Sequence, residues 1–97
     1  MPAKKSSKAK AVIVRTQSAG VHFGYVIERR GAEIDLERSR RIWSWQGALS
    51  CSELASKGPD VARSKIAVPV SLTLLGVIEV IYCTDAAAAA ISGAPTP

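Results

Sequence analysis

The residue types most able to do chemistry are concentrated in Arg38-Ser39-Arg40-Arg41-Ile42-Trp43-Ser44-Trp45-Gln46-Gly47, which carries three arginines and both tryptophans of the chain. A guanidinium offers a planar fork of donors with a permanent charge, and an indole offers a broad stacking face. Together they suit recognition of a planar, phosphorylated partner. Read as extended chain, the stretch puts Arg41, Trp43 and Trp45 on one face and Arg40, Ile42 and Ser44 on the other. Arg40, Arg41, Trp43 and Trp45 are therefore the primary candidate ligand-binding residues. The tryptophan pair is open to use as core, as subunit interface or as ligand platform.

Catalytic chemistry finds little to work with. A hydrolase or transferase needs a nucleophile, a base and a charge stabiliser in reach of one another, whereas this chain holds one histidine, two cysteines 32 positions apart and no paired carboxylates. It has no Walker loop, dinucleotide-binding glycine pattern or HExxH, and the ligand set is poor for zinc. We expect no enzyme, no metal and no cofactor. His22, bracketed by Gly20 and Gly24, joins the candidate ligand contacts, and Arg63, Lys65 and Glu79 are secondary candidates. If Glu79 is buried, its carboxylate needs a cation or a donor, and Arg41 or His22 would serve.

Chain length and charge bound the setting. Ninety-seven residues, 47% hydrophobic and 22% charged, suit one domain with a small core, for which self-association is an effective way to cover apolar surface. The net charge of +5 is mostly contributed by Lys4, Lys5, Lys8 and Lys10. We read residues 1–10 as a disordered basic tail able to attract nucleic acid without specificity, residues 11–91 as the compact domain, and residues 92–97 as a disordered C-terminus. The apolar run 66–82 is broken by Pro69, Gly76 and Glu79, so no membrane span is expected. Cys51 and Cys83 are expected to be reduced thiols.

The elements that must position these residues read as follows. Ala11–Thr16 is β-branched and short, and Gln17-Ser18-Ala19-Gly20 turns the chain. Val21–Glu28 and Ala32–Glu37 form a hairpin about Arg29-Arg30-Gly31, with its acids facing solvent and answered by the two arginines. Ser50-Cys51-Ser52-Glu53 is a capping box opening a short helix that Gly58-Pro59 stops. Ile66–Val70 bends at Pro69, Ser71–Leu75 suits a helical turn or a strand, and Val77–Tyr82 suits an interior strand. Thr84-Asp85 caps an alanine-rich final helix through Ile91. The fold class is α+β: a small, β-rich domain with a twisted, mostly antiparallel sheet and one or two short helices.

The compound pattern Ser18-Ala19-Gly20-Val21-His22-Phe23-Gly24, then Arg40-Arg41-Ile42-Trp43-Ser44-Trp45-Gln46-Gly47-Ala48-Leu49-Ser50, then Ile78-Glu79-Val80-Ile81-Tyr82-Cys83-Thr84, resembles a family of small phage and prophage proteins, with similarity from about Val12 through Thr84. The resemblance implies a phage-associated setting in the cytoplasm of a bacterial host, with virion association as a variant, and carries no catalytic assignment. In that setting the sequence suggests a homo-oligomeric binder that sequesters an anionic, nucleotide-derived host defence signal. Its rivals are a virion or assembly accessory protein whose tryptophans cover a subunit seam, and a weak nucleic-acid binder acting through the lysine tail.

Overall fold

The computed structural model describes residues 9–96, so Lys4, Lys5 and Lys8 of the basic tail lie outside the described residues. Six strands, β1 (Ala11–Thr16), β2 (Val21–Arg30), β3 (Glu33–Ser44), β4 (Lys65–Ile66), β5 (Val70–Leu74) and β6 (Val77–Tyr82), are joined by helices α1 (Cys51–Ser56) and α2 (Asp85–Ser92). A single turn of 3-10 helix at Val61–Arg63 precedes β4. The sheet runs β4-β3-β2-β1-β6, with β5 also pairing β3, and every ladder is antiparallel. It is a small α+β fold around an open antiparallel sheet.

The sheet folds over on itself. β5 pairs with the start of β3 and β6 with β1, yet only Leu75 and Gly76 separate them. Bonds from Gln17 N to the Gly76 carbonyl (2.9 Å) and from Val77 N to the Ala32 carbonyl (3.0 Å) show the end of β1 and the β2–β3 turn meeting at that link. Between the two layers lie Val12, Val14, Ile34, Leu36 and Leu74, all buried. The opposite face of β1–β3 packs Ile13, Phe23 and Ile42 against Leu54 and Ala55 of α1 and Ile91 of α2. Burying alternate residues of β1 on two separate sides explains its unbroken β-branched composition.

Irregularities in β2 and β3 let the layers fold over. Tyr25 pairs Glu37 while Phe23 pairs Arg40, so β3 carries an extra residue there, and Arg38 is the one non-glycine with positive φ among the described residues, at 50°. The bulge inverts the alternation: Ile34 and Leu36 face the interlayer core, and beyond it Ser39 and Arg41 face that side while Arg40 and Ile42 face the helices. Gly24 lies beside this point, where a Cβ would stand 2.9 Å from Leu36 Cδ1 and 3.2 Å from Ser39 Cβ. That contact leaves no room for a side chain in β2.

Local signals fix both helices. Ser50 Oγ accepts from Glu53 N (3.3 Å), while the Glu53 carboxylate accepts from Leu49 N (2.8 Å), one residue short of the reciprocal partner in a capping box. Thr84 Oγ1 accepts from Ala87 N (3.1 Å) and donates to the Ser56 carbonyl (2.7 Å), so the cap of α2 also ties it to the end of α1. In the hairpin, Arg30 Nη1 reaches Asp35 at 2.9 Å, and the same guanidinium lies near Glu28 and Glu33. The acid-answering role expected of the turn arginines falls to Arg30.

Of the two alternatives for Ser71–Leu75 the strand holds, as β5 over Val70–Leu74: Leu72 and Leu74 alternate into the interlayer core while Thr73 Oγ1 donates to Asp35 (2.6 Å). β6 is an edge strand paired only to β1, with Ile78 56% and Tyr82 63% exposed, because a continuous apolar run also arises where one side covers a core and the other borders an open edge. The ends hold more order than composition suggests. Lys10 accepts through its carbonyl from Val26 N (3.0 Å), and Ala94, two residues beyond α2, is buried. The Arg40 guanidinium donates to the carbonyls of Ser92 and Ala94 and to the Thr96 hydroxyl.

Candidate functional site

The adjacent arginines Arg40 and Arg41 have opposite fates. Arg40, 2% exposed, points among the helices, where Nε donates to Ala67 O (2.7 Å) and Nη1 to Ile91 O (2.9 Å), Ser92 O (3.3 Å) and Ala94 O (2.7 Å). Its Nη2 adds Ile66 O (3.4 Å) and Thr96 Oγ1 (3.3 Å). These acceptors include carbonyls at the C-terminal end of α2, which lack intrahelical donors and carry the negative end of the helix dipole. Arg40 therefore ties β3, the start of β5's approach and the chain end together. Its donors are consumed by these acceptors.

Arg41 faces the other way. Its guanidinium lies over the Trp43 indole, 4.1 Å from the ring centroid, and its far side rests against Gly20, where a Cβ would stand 3.2 Å from Nη2. Gly20 has φ +87°, so this seat is built from a backbone that side chains rarely adopt. Among the described residues no carboxylate forms an ion pair with Arg41. Trp43 is 61% exposed. The guanidinium and the exposed indole thus form a cation–π pair with no carboxylate beside it among the described residues.

His22 stands opposite Arg41 in the β2–β3 ladder and is 4% exposed, and its Nδ1 is buried without a hydrogen-bond partner. Burial and, secondarily, the Arg41 charge hold its pKa below the ordinary histidine value, so the ring is neutral near pH 7. Ser39 Oγ, on the same face of β3 and fully buried, is likewise unpartnered. Thr16 completes the polar end of the interlayer core, accepting through Oγ1 from Ala19 N (2.8 Å) and donating to Gly20 O (2.9 Å), which fixes the loop carrying Gly20. Val70, exposed, stands opposite Ser39 in the β3–β5 ladder.

The remaining candidates divide. Trp45 lies beyond β3 and turns to the helix-side core, its Nε1 donating to Ala48 O (3.2 Å), so the two tryptophans do not share a face. The separation follows from a register shift in β3 between Ile42 and Ser44. Lys65 pairs Ser44 at that irregularity and is exposed. Arg63 is 3.8 Å from Asp60 and engaged in its own turn. Glu79 pairs with Arg15 at 2.9 Å, so its cation is neither Arg41 nor His22. Arg15 was missed as that partner because the β1–β6 pairing is invisible along the chain.

A second concavity of about 530 Å³ lies at the opposite end of β1, between Tyr25, Tyr82, Lys10 and the Ala88-Ala89 surface of α2. Lys10 Nζ sits 5.8 Å from the Tyr82 ring, Arg38 covers the Tyr25 ring at 3.9 Å, and Tyr25 Oη hydrogen-bonds Ser92 Oγ (2.8 Å). Burial raises the Cys83 thiol to about 11, and also raises Cys51, so both stay protonated at neutral pH. Both cysteines are free. Among the described residues no three His, Cys, Asp or Glu side chains gather as a metal site, and no helix is long and apolar enough to cross a membrane.

The fold and site define a small α+β domain with a cation–π platform at the polar end of a folded-over sheet. The chain belongs to the domain family of unknown function DUF6948, whose match spans residues 9–91. No curated protein and no solved structure is significantly similar to it.

Proposed function

We propose that the protein is a non-enzymatic binding protein that captures a small, phosphorylated, ring-bearing ligand on Arg41 and Trp43, with Lys65 as a second cation at the rim. The reading rests on one observation: among the described residues the Arg41 guanidinium has no carboxylate partner, and it is held 4.1 Å from the centroid of an indole that is 61% exposed. Phosphate would take the free N–H donors of Arg41, and a nucleobase would stack on Trp43. Neutral His22 contributes no competing charge and offers an unsatisfied nitrogen beside the site. In the phage setting implied by the resemblance, the consequence of such binding is sequestration of a nucleotide-derived host defence signal in the host cytoplasm.

Native mass spectrometry of protein recovered from infected cells, followed by denaturing release, tests this reading. A stoichiometric nucleotide that is lost in Arg41→Ala supports it. Ligand-free protein, together with no quenching of Trp43 fluorescence by millimolar adenosine monophosphate, sinks it. A second reading has its own observation: Trp43 beneath Arg41 and Val70 opposite Ser39 are both exposed along β3, which suits a subunit seam of a virion or assembly accessory protein. Recovery of the protein only with particles, with Trp43 protected there, favours that reading.

A further inference from the structure

We propose that His22 is a proton-operated release for its neighbouring arginine: a proton taken up by the buried imidazole drives the Arg41 guanidinium off the Trp43 indole. The sheet forces the two side chains together. His22 stands opposite Arg41 in the β2–β3 ladder and opposite Val14 in the β1–β2 ladder, so its ring sits on a central strand with a neighbour on each side. Residues directly opposite in an antiparallel pair share a face, with Cβ atoms about 4.5–5.5 Å apart. The ring is 4% exposed, and its Nδ1 has no hydrogen-bond partner among the described residues. A proton there is a charge cut off from both water and a counter-ion.

No acid is placed to neutralise that charge. From β3 the facing groups are Arg41 and the uncharged Ser39, while Arg40 is spent on carbonyls among the helices. From β1, Val14 and Thr16 are uncharged and Arg15 is paired with Glu79 at 2.9 Å. The 17–20 loop and β5 hold no ionisable side chain, and Lys65 of β4, opposite Ser44, adds only positive charge. Burial and the Arg41 charge accordingly keep the ring neutral near pH 7. Once the ring is charged, the repulsion is relieved by whichever side chain can move. His22 is enclosed by the sheet. The Arg41 backbone is fixed too, its carbonyl accepting from Ala67 N (2.8 Å), but its half-buried side chain is held only by the indole and by contact with Gly20. An exposed cation–π contact favours the seated arrangement by only about two- to five-fold. Arg41 is therefore the part that yields.

The device needs no ligand, so it is tested apart from the capture reading. Carbon–proton NMR of the full chain between pH 8 and pH 4 follows both side chains, with circular dichroism recording the fold. At pH 8 the Arg41 methylene protons should carry an upfield ring-current shift from Trp43, and that shift should vanish with the same midpoint as the His22 ring resonances. His22→Gln should keep the shift throughout. Coupling between two sites is reciprocal, so Arg41→Gln, which leaves the buried core untouched, should raise the His22 midpoint. Arg41 shifts that persist after His22 has titrated overturn the proposal, as does a loss of shift that survives in His22→Gln. A His22 midpoint indifferent to Arg41→Gln, or global unfolding before His22 titrates, overturns it equally.

Discussion

Arg40 Nη1 donates to the carbonyl oxygen of Ala94 at 2.7 Å, across 54 positions of sequence, and the same nitrogen holds Ile91 O at 2.9 Å. One guanidinium thus finishes a helix and anchors the chain end to the longest strand. Removing it strands several buried carbonyls at once. Arg40→Ala is expected to destabilise the fold by about 3–5 kcal/mol, the range for breaking a buried charged network. Arg40→Lys should recover little, because an ammonium has three donors and no planar fork. Urea denaturation measures both.

Trp43 and Trp45 should respond oppositely to truncation. Trp43→Ala removes an exposed ring and should change stability by less than about 0.5 kcal/mol, while weakening nucleotide binding by roughly 10- to 100-fold through lost stacking. Trp45→Ala opens the helix-side core and should cost about 3 kcal/mol. Paired denaturation and fluorescence titrations separate the two roles.

His22 predicts a pH dependence near neutrality. Its folded pKa lies below the ordinary value of about 6.5, so in that window the unfolded chain binds a proton that the folded chain does not. Stability should therefore fall as the pH drops through 6.5 towards the folded pKa, and level off below it. His22→Gln should flatten this part of the profile. Asp35, held below its ordinary range by the Arg30 and Thr73 hydrogen bonds, acts at lower pH: its contribution is present above the ordinary aspartate value and lost as pH falls through the folded one. Asp35→Asn should remove only that acid limb, in stability profiles measured from pH 8 to pH 2.

Gly24 is the most sterically constrained position next to the site. Gly24→Ala puts a methyl 2.9 Å from Leu36 Cδ1 and 3.0 Å from its Cβ, so β2 and β3 must separate. We expect a loss of about 1–3 kcal/mol from overpacking, read as a drop in the midpoint of thermal unfolding. Gly31→Ala, in open space at a turn, meets no neighbour and suffers only the penalty of its φ of 58°.

Much of the fold was legible where a local rule decides the outcome. The β-branched run 11–16, the glycine turn at 31, the Ser50 cap and the Thr84 cap each act over a few residues, and each appears as read. The assignments that changed depended on long-range partners. Strict alternation put Arg41, Trp43 and Trp45 on one face, and a register shift after Ile42 put Trp45 elsewhere. Glu79 would need Arg41 or His22 only if buried; it is part-exposed and meets Arg15, which only the pairing of β1 with β6 brings beside it. Alanine, proline and threonine at 94–96 look like solvated chain, and nothing local announces that a guanidinium 54 residues earlier is waiting for their carbonyls.

The bulge at Arg38 sets the phase of everything downstream in β3. Because side chains alternate with a period of two, adding or removing one residue between Leu36 and Ser39 would exchange the two following arginines. The cation now consumed by the end of α2 would be delivered to the indole, and the cation now resting on the indole would be delivered to the helix. In Arg40-Arg41 the identity of each arginine is therefore positional information written by its neighbour's backbone. A one-residue insertion between Leu36 and Ser39 should damage folding and the platform together, although it replaces neither arginine nor Trp43.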